Sequence, residues 1–375
     1  MGIETHLAAA QICIQARVPL FLWGGSGIGK TANIEASAPS LGEPLWVIIL
    51  SIREPSDQGG LPVVRAEWVE MHPPKWAKEL IKAGHGIAFW DEFNTSPPAV
   101  QNSMLRVVQD GWAGDAKLPE NTSHVAAGNP PHLNTGAYHL NAAISNRWCQ
   151  IDWPVDRLAW CDGMVAGWPT PETRLVPPEW KNRVPSKRGL VASFIRRKDL
   201  LYKPPASAAE QGRSWPSPRT WTMAATLSAA AEAAGCEQKS AVTRLLVEGC
   251  VGGPAMSEFY TWLVALDLRD PEEYLADPLG CPLPKRQDQI MATLDGVAAA
   301  SLDTVNHKRK AMVGRYRGAW KVLGRIIKAQ GDIGIPAARI LAAHMPAEVE
   351  RDLPEEVLDI LPILEAANIS FARSA

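Results

Sequence analysis

Short apolar runs alternate with amphipathic stretches over the first 155 residues. The runs that are typical of buried strands lie at 18–23, 45–50, 86–90, 124–127 and 149–153. Between the third and fourth runs, the segment 97–109 places Val100, Met104 and Val108 at helical spacing. Strands that alternate with helices predict an α/β fold with a parallel sheet and helices on both faces.

The pattern changes twice after residue 155. Prolines crowd the stretch 154–218, which predicts a connector with one short helix near 190–201. From residue 220 the pattern is helical, with candidate helices at 220–234, 239–250, 254–266, 285–300, 306–329, 335–344 and 354–366. The domains predicted from these changes are an α/β nucleotide-binding domain at 1–160, a Pro-rich basic connector at 161–218, a helical lid at 219–284 and a helical C-terminal extension at 285–375.

Composition and charge exclude several classes of protein. The 375 residues include 38 Lys and Arg against 40 Asp and Glu, so the chain is neither a polybasic nucleic-acid coat nor an acidic disordered protein. No apolar run approaches the ~18 residues of a membrane helix, and the start lacks the pattern of a secretory signal. The six cysteines form no C-x-x-C pair. We therefore expect a cytoplasmic protein with reduced thiols and no membrane partner.

The strongest local motif is the segment 24–31, GGSGIGKT, which fits G-x-x-x-x-G-K-[ST]. It follows a predicted strand and precedes a predicted helix, which is the context that a phosphate-binding P-loop needs. The residues expected to contact the nucleotide are Gly25, Ser26, Gly27, Ile28, Gly29, Lys30 and Thr31. In this arrangement Lys30 would reach the β- and γ-phosphates and the Thr31 hydroxyl would bind Mg²⁺, so the motif predicts ATP and Mg²⁺ as ligands.

The second motif is the strand at 86–90, which is followed directly by Asp91 and Glu92. In a P-loop protein, an Asp at this strand end holds Mg²⁺, and the neighbouring Glu can take a proton from the attacking water. A strand that ends in two acids is also common as a solvated strand end. The P-loop upstream favours Asp91 as a metal ligand and Glu92 as a catalytic base.

Five segments in the order GGSGIGKT, FWDEFN, AAGNP, AISNRW and SPRTW resemble an AAA+ ATPase, and more narrowly its MoxR branch. The similarity extends over about residues 5–265. It implies that Asn129 is sensor 1, which positions the lytic water, and that Arg147 is an arginine finger directed at the nucleotide of a neighbouring subunit. It also implies that Arg219 is sensor 2, at the start of a lid helix.

The resemblance further implies a ring, expected to be a hexamer, that remodels a client protein. Members of the branch commonly act with a partner that carries a von Willebrand factor A domain. The segments 56–62 and 68–71 lie where the branch carries its helix-2 insert, and they lack the aromatic-apolar-Gly loop of threading unfoldases. Segment 110–123 can form the hairpin that precedes sensor 1. Neither the client nor the pathway can be inferred from the residues.

A basic stretch near the C terminus keeps a different class of function open. Its cations are Lys308, Arg309, Lys310, Arg315, Arg317, Lys321, Arg325 and Lys328. As one face of the helix 308–328 they could contact nucleic acid, which would make the protein a nucleic-acid-stimulated motor. A solvated face that pairs with the acidic segment 348–365 is the favoured interpretation. A nucleotide-gated scaffold that hydrolyses ATP very slowly is the third possibility.

Overall fold

The computed structural model describes residues 2–134, 136–302, 309–350 and 355–369, and these residues form two compact units. One unit comprises Met1–Pro177 and Leu200–Met256, and the other comprises Pro178–Asp199 and Ser257–Ala375. Each unit therefore combines segments that are distant in the sequence. For that reason their ranges differ from those of the predicted domains 1–160, 161–218, 219–284 and 285–375.

A five-stranded parallel sheet forms the centre of the first unit. The strands of the described chain are β1 (Leu20–Trp23), β2 (Leu45–Ile49), β3 (Leu61–Val64), β4 (Val69–His72), β5 (Gly86–Asp91), β6 (Trp112–Ala113), β7 (Ala116–Lys117), β8 (Thr122–Gly128) and β9 (Cys149–Asp152). The sheet has the order β2-β5-β8-β1-β9 with every neighbouring pair parallel, while β3–β4 and β6–β7 are antiparallel hairpins. The five predicted strands, the hairpin before residue 124 and the α/β class are confirmed.

Helices account for most of the remaining chain. The α-helices of the described residues are α1 (Ile3–Gln15), α2 (Lys30–Ser40), α3 (Ser56–Gly59), α4 (Lys75–Ala83), α5 (Pro98–Asp110), α6 (Ala142–Ser145), α7 (Arg157–Ala166), α8 (Val184–Arg197), α9 (Ala208–Gln211), α10 (Pro218–Ala233), α11 (Ala241–Val251), α12 (Gly253–Leu266), α13 (Pro271–Ala276), α14 (Gln287–Ser301), α15 (Arg309–Gln330), α16 (Ile335–Ala343), α17 (Ala347–Glu350), α18 (Glu355–Leu358) and α19 (Leu361–Ala366). Among the described residues, no helix is long and apolar enough to cross a membrane.

Strands β1 and β5 are buried on both faces, which explains their apolar runs, whereas Val47 and Ile49 of the edge strand β2 are each 41% exposed. Phe21 and Trp90 lie on one face and share a core cluster with residues of α4 and α5. Leu22 and Phe89, the strand neighbours of those two residues, point to the opposite face and are fully buried as well. Each such side chain contributes about 1.5–3 kcal/mol through burial.

Two predicted helices differ from the observed ones, and proline is involved in both. The short helix expected near 190–201 is α8, which begins at Val184 and ends at Arg197. It begins earlier because Pro185 stands in the first turn, where a missing N–H costs nothing. The helix expected at 354–366 is split into α18 and α19, since Pro362 in the first turn of α19 cannot extend a preceding helix. Residue 354 lies outside the described residues.

In the second unit, α8 packs closely against α14. The buried carboxylate of Asp295 accepts hydrogen bonds from the Ser193 hydroxyl, at 2.6 Å, and from the Arg196 guanidinium. Gly189 allows this approach, because a Cβ at that position would lie 2.7 Å from the Asp295 carbonyl oxygen. Helix α15 adds Trp320, which is fully buried in the apolar core of the same unit.

Candidate functional site

The predicted P-loop is a turn between β1 and α2. Gly27 and Gly29 have φ angles of +77° and +85°, which is the left-handed region that favours glycine. Gly24 packs tightly as well, because a Cβ there would lie 2.4 Å from Cδ1 of Ile28, so a larger residue would displace that side chain. The loop therefore leads directly into the N-terminus of α2, where free backbone N–H groups and the helix dipole favour an anion.

The Lys30 ammonium group spans the P-loop. Its Nζ donates to the carbonyl oxygens of Gly24 and Gly25, each at 2.8 Å, and to Oδ1 of Asn129 at 3.2 Å. Burial lowers the pKa of Lys30, and the negative charge of Asp91 opposes that effect. The structure thus brings the predicted phosphate-binding lysine and the predicted sensor 1 residue into contact at the carboxyl edge of the sheet.

Thr31 and Asp91 meet beside this lysine. The Thr31 hydroxyl donates to Oδ2 of Asp91 at 2.8 Å, so the two oxygens expected to hold Mg²⁺ are already together. Hydroxyl and carboxylate oxygens suit Mg²⁺, which usually takes only one or two protein ligands and fills its octahedron with water and phosphate oxygens. The described residues include no group of three or more His, Cys, Asp or Glu that could hold a metal. The donor set therefore fits Mg²⁺ bound together with a phosphate.

Glu92 follows Asp91 in a left-handed backbone conformation, with a φ angle of +54°. Its N–H donates to Oδ1 of Asp91 at 2.9 Å, and its carboxylate is exposed and accepts a hydrogen bond from the Ser51 hydroxyl. Ser51 lies in the 3-10 turn Leu50–Ile52, just past the end of β2. Ser51 was not among the predicted site residues, although its position after a strand at the same edge of the sheet is a usable signal.

A second residue that the sequence analysis missed is Asn94, which is fully buried. Its Oδ1 accepts the backbone N–H of Asn129 at 2.9 Å, and its Nδ2 donates to the carbonyl oxygens of Asn129 at 2.8 Å and Tyr138 at 3.1 Å. Gly128 makes room for this amide, because a Cβ at residue 128 would lie 2.5 Å from Oδ1 of Asn94.

The predicted arginine finger, Arg147, and the predicted sensor 2 residue, Arg219, interact electrostatically. Arg147 donates from Nε to Oε1 of Gln109 at 2.6 Å and from Nη1 to the Ala143 carbonyl. The pKa of Arg147 is lowered by burial and then by the positive charge of Arg219, while Asp110 opposes both. Arg219 is exposed in the first turn of α10. In the described part of the chain, neither guanidinium group donates a hydrogen bond to the P-loop.

A cavity of about 410 Å³ adjoins the base of the P-loop. Its lining includes Trp23, Pro130, His132, Asp152 and Arg213. Nη2 of Arg213 lies 2.6 Å from both carboxylate oxygens of Asp152, and its Cζ lies 5.0 Å from the centre of the Trp23 ring. Arg213, for which the sequence indicated no role, joins the segment before α10 to Trp23 and Asp152, the last residues of β1 and β9.

The basic helix α15 uses several of its cations within the second unit. Arg315 forms a two-pronged pair with Glu272, with both distances 2.7 Å, and Arg325 donates to the carbonyl oxygens of Pro278 and Cys281. Lys328 pairs with Asp359, as expected for a basic face that meets the acidic segment. Lys308 and the side chains at positions 309 and 310 lie outside what the structure describes.

Comparison with known proteins returned similarity only among solved structures. No family model matches the chain, and no curated protein matches it. Among 110 matching chains is a protein from Cytophaga hutchinsonii named "putative ATPase", 16% identical, with a TM-score of 0.33 over 98% of this chain and 91% of that one.

Proposed function

We propose that the protein binds and hydrolyses MgATP at the P-loop. One observation carries this proposal: the Lys30 ammonium contacts Asn129, while beside it the Thr31 hydroxyl contacts Asp91. A cation, a pair of metal-binding oxygens and an amide thus converge at the carboxyl edge of a parallel sheet. Ligands bind at this edge in open α/β folds.

Each residue has a separate task in this proposal. Lys30 exchanges its bonds to the Gly24 and Gly25 carbonyls for bonds to phosphate oxygens, which are stronger because both partners are charged. Thr31 and Asp91 hold Mg²⁺, which supplies positive charge to the phosphate oxygens when it is bound. Those three residues bind and orient the nucleotide before any bond is broken.

Glu92 and Asn129 act on the attacking water. Glu92 accepts its proton as the general base, and the exposed position of its carboxylate leaves it accessible to that water. The Asn129 amide orients the same water from the end of β8, where it already contacts Lys30. The contact between Asn129 and Lys30 supports this assignment.

Substitutions separate binding from hydrolysis. Lys30→Ala is expected to abolish both ATP binding and turnover, whereas Glu92→Gln keeps binding and lowers kcat by about 100-fold or more. Glu35→Gln, an exposed glutamate on α2, is the matched control and should turn over like the wild type. Equal turnover of the wild type and Glu92→Gln would remove the catalytic assignment. Tight binding with equally slow turnover would instead favour the nucleotide-gated scaffold.

We further propose that the chain works as a MoxR-like AAA+ ring, expected to be a hexamer, in which Arg147 of one copy completes the site of the next. This is supported by the hydrogen bonds of Arg147, which go to Gln109 and Ala143 and not to the P-loop of its own chain, and by the positive charge of Arg219, which lowers the pKa of Arg147. Lys30→Ala and Arg147→Ala should each be inactive. Mixing them should restore part of the activity. In a mixed ring, the intact P-loop of an Arg147→Ala copy can meet the intact Arg147 of a neighbouring Lys30→Ala copy.

The mixing experiment has two results that would overturn the ring. A protein that stays monomeric with a slowly hydrolysed ATP analogue at micromolar concentration cannot supply Arg147 in trans. Normal hydrolysis by Arg147→Ala would equally remove the finger role. Arg219→Ala, mixed with Lys30→Ala in the same way, shows whether Arg219 also acts on the nucleotide site of a neighbouring copy.

By its resemblance, we propose that the ring remodels a client protein together with a von Willebrand factor A domain protein. Co-expression with the product of the neighbouring reading frame, followed by co-purification, tests the partner. The nucleic-acid-stimulated motor is disfavoured by the ion pairs of Arg315 and Lys328 within the second unit. Accordingly, single- or double-stranded DNA and RNA at low salt should leave the ATPase rate unchanged.

A further inference from the structure

The β-sheet ladder stops one residue before Asn129. Gly128 is the last residue of β8, and its carbonyl oxygen accepts the N–H of Gly24 at 3.1 Å. Beyond that point the backbone N–H and C=O of Asn129 have no strand partner, yet both are hydrogen-bonded to the side chain of Asn94. One buried amide therefore takes the place of a neighbouring strand.

The same amide joins a third segment of the chain. Nδ2 of Asn94 also donates to the Tyr138 carbonyl, and the Tyr138 N–H donates to the Asn94 carbonyl at 2.7 Å. Asn94 lies three residues after Asp91, in the 3-10 turn Phe93–Thr95. It thus connects the end of the acidic strand to the end of β8 and to the loop that follows.

Only an amide fits these contacts. The site demands one acceptor for the Asn129 N–H and two N–H donors for two carbonyl oxygens, which is the inventory of an asparagine side chain. An aspartate keeps the acceptor and loses both donors. Asn94 itself is 0% exposed, so its substitution removes a buried partner of the half-buried Asn129 backbone, and bulk water has no direct access to the vacated amide position.

We propose that Asn94 is a positioning residue for hydrolysis, acting through Asn129. By fixing the backbone of Asn129 on both sides, it holds the Asn129 side chain beside Lys30, at the place where the attacking water has to be oriented. The inference rests on the proposed ATPase function. Misplacement of such a group by about 1 Å costs about 100-fold in rate, so kcat carries the effect.

The test compares Asn94→Ala and Asn94→Asp with the wild type and with Asn121→Ala. Asn121 is an exposed asparagine just before β8, so the control places the same substitution near the opposite end of the strand. Hydrogen exchange of the Asn129 amide, measured without nucleotide, is the first readout. It should be slow in the wild type and the control, and about 10-fold or more faster in both Asn94 variants.

Kinetics supply the second readout. Both Asn94 variants should lower kcat by about 10- to 100-fold with KM for ATP within about threefold, since the P-loop is untouched. In the Asn129→Ala background, Asn94→Ala should cause little further loss, because its effect passes through Asn129. A merely structural role would lower kcat in both backgrounds alike.

Several results would overturn the inference. Fast exchange of the Asn129 amide in the wild type, unchanged exchange in Asn94→Asp, or additive kinetic losses would each do so. If the Asn94 variants do not fold, Gly128→Ala places a Cβ 2.5 Å from Oδ1 of Asn94, and 2.8 Å from the Phe21 ring, and should also speed the exchange and lower kcat. A wild type whose ATPase activity is absent or insensitive to Lys30→Ala refutes the proposed function itself, and the inference with it.

Discussion

His124 makes the stability of the pairing between β5 and β8 depend on pH. Its ring lies in the interior of β8 and stacks on the Trp90 indole, with the ring centres 6.1 Å apart and an interplanar angle of 17°. Nε1 of Trp90 donates to Nδ1 of His124 at 3.3 Å, so Nδ1 must stay unprotonated. Burial lowers the pKa of His124 from 6.5 to about 4. The folded protein therefore holds a neutral imidazole two residues from the end of the pairing with β5.

The sign of the effect follows from proton binding. Between pH 6.5 and about 4 the unfolded chain carries a proton on His124 and the folded chain does not, so stability falls as the pH drops through this window. The separation of the two pKa values corresponds to about 3 kcal/mol in total, of which about 2 kcal/mol is lost between about pH 7 and about pH 4.5. Above pH 6.5 the contribution is complete.

Urea unfolding at those two pH values, followed by hydrogen exchange of the β8 amides, measures the loss. His124→Phe keeps an aromatic ring beside Trp90 and removes the titrating group. The stability that the wild type loses on acidification should exceed that of the variant by about 2 kcal/mol. His139→Phe removes an exposed histidine and controls for the substitution itself. Equal losses in the wild type and His124→Phe would refute the reasoning.

Three further substitutions have defined outcomes. Trp148→Ala removes a 2%-exposed indole that meets Phe21 and Phe93 edge to face, and urea unfolding should show a loss of about 3–5 kcal/mol, with a loss below 1 kcal/mol contradicting the packing. Ser51→Ala frees the Glu92 carboxylate and should lower kcat about 3- to 10-fold at unchanged KM, whereas an unchanged kcat would deny Ser51 any positioning role. Arg315→Ala should cost about 1 kcal/mol of second-unit stability, read from the α15 amides, because its partner carboxylate is half exposed. Unchanged exchange of the α15 amides in that variant would contradict a stabilising role of the ion pair.

The parts that the sequence predicted well are those with a local cause. Strands β1 and β5 are uninterrupted apolar runs up to Trp23 and Trp90, because both of their faces are buried, and such runs are visible without any partner. The P-loop is equally local, since its glycines, lysine and threonine are consecutive. Neither α1 nor α4 was predicted. The amphipathic pattern of α4 is clear in the sequence, whereas α1 has a weak pattern because all of Ala9–Ile14 is buried.

The residues that were missed have meanings that depend on distant partners. Asn94, Ser51 and Arg213 are ordinary polar residues until the fold brings Asn129, Glu92 and Asp152 against them. No spacing rule connects such pairs, because 35 or more residues separate their members.

The interleaving of the two units has a consequence for how the chain is made. Residues 200–256 complete the first unit, so a nascent chain leaving the ribosome cannot close that unit until it has also released α8, which belongs to the other. Helix α8 then has to wait for α14, whose first residue is Gln287. Phe194 of α8 also packs on Phe259 and Trp262 of α12, so the apolar side of α8 is only partly covered until synthesis passes that point. A gene cut after residue 160 or 284 would therefore yield fragments with unfinished cores rather than separable domains.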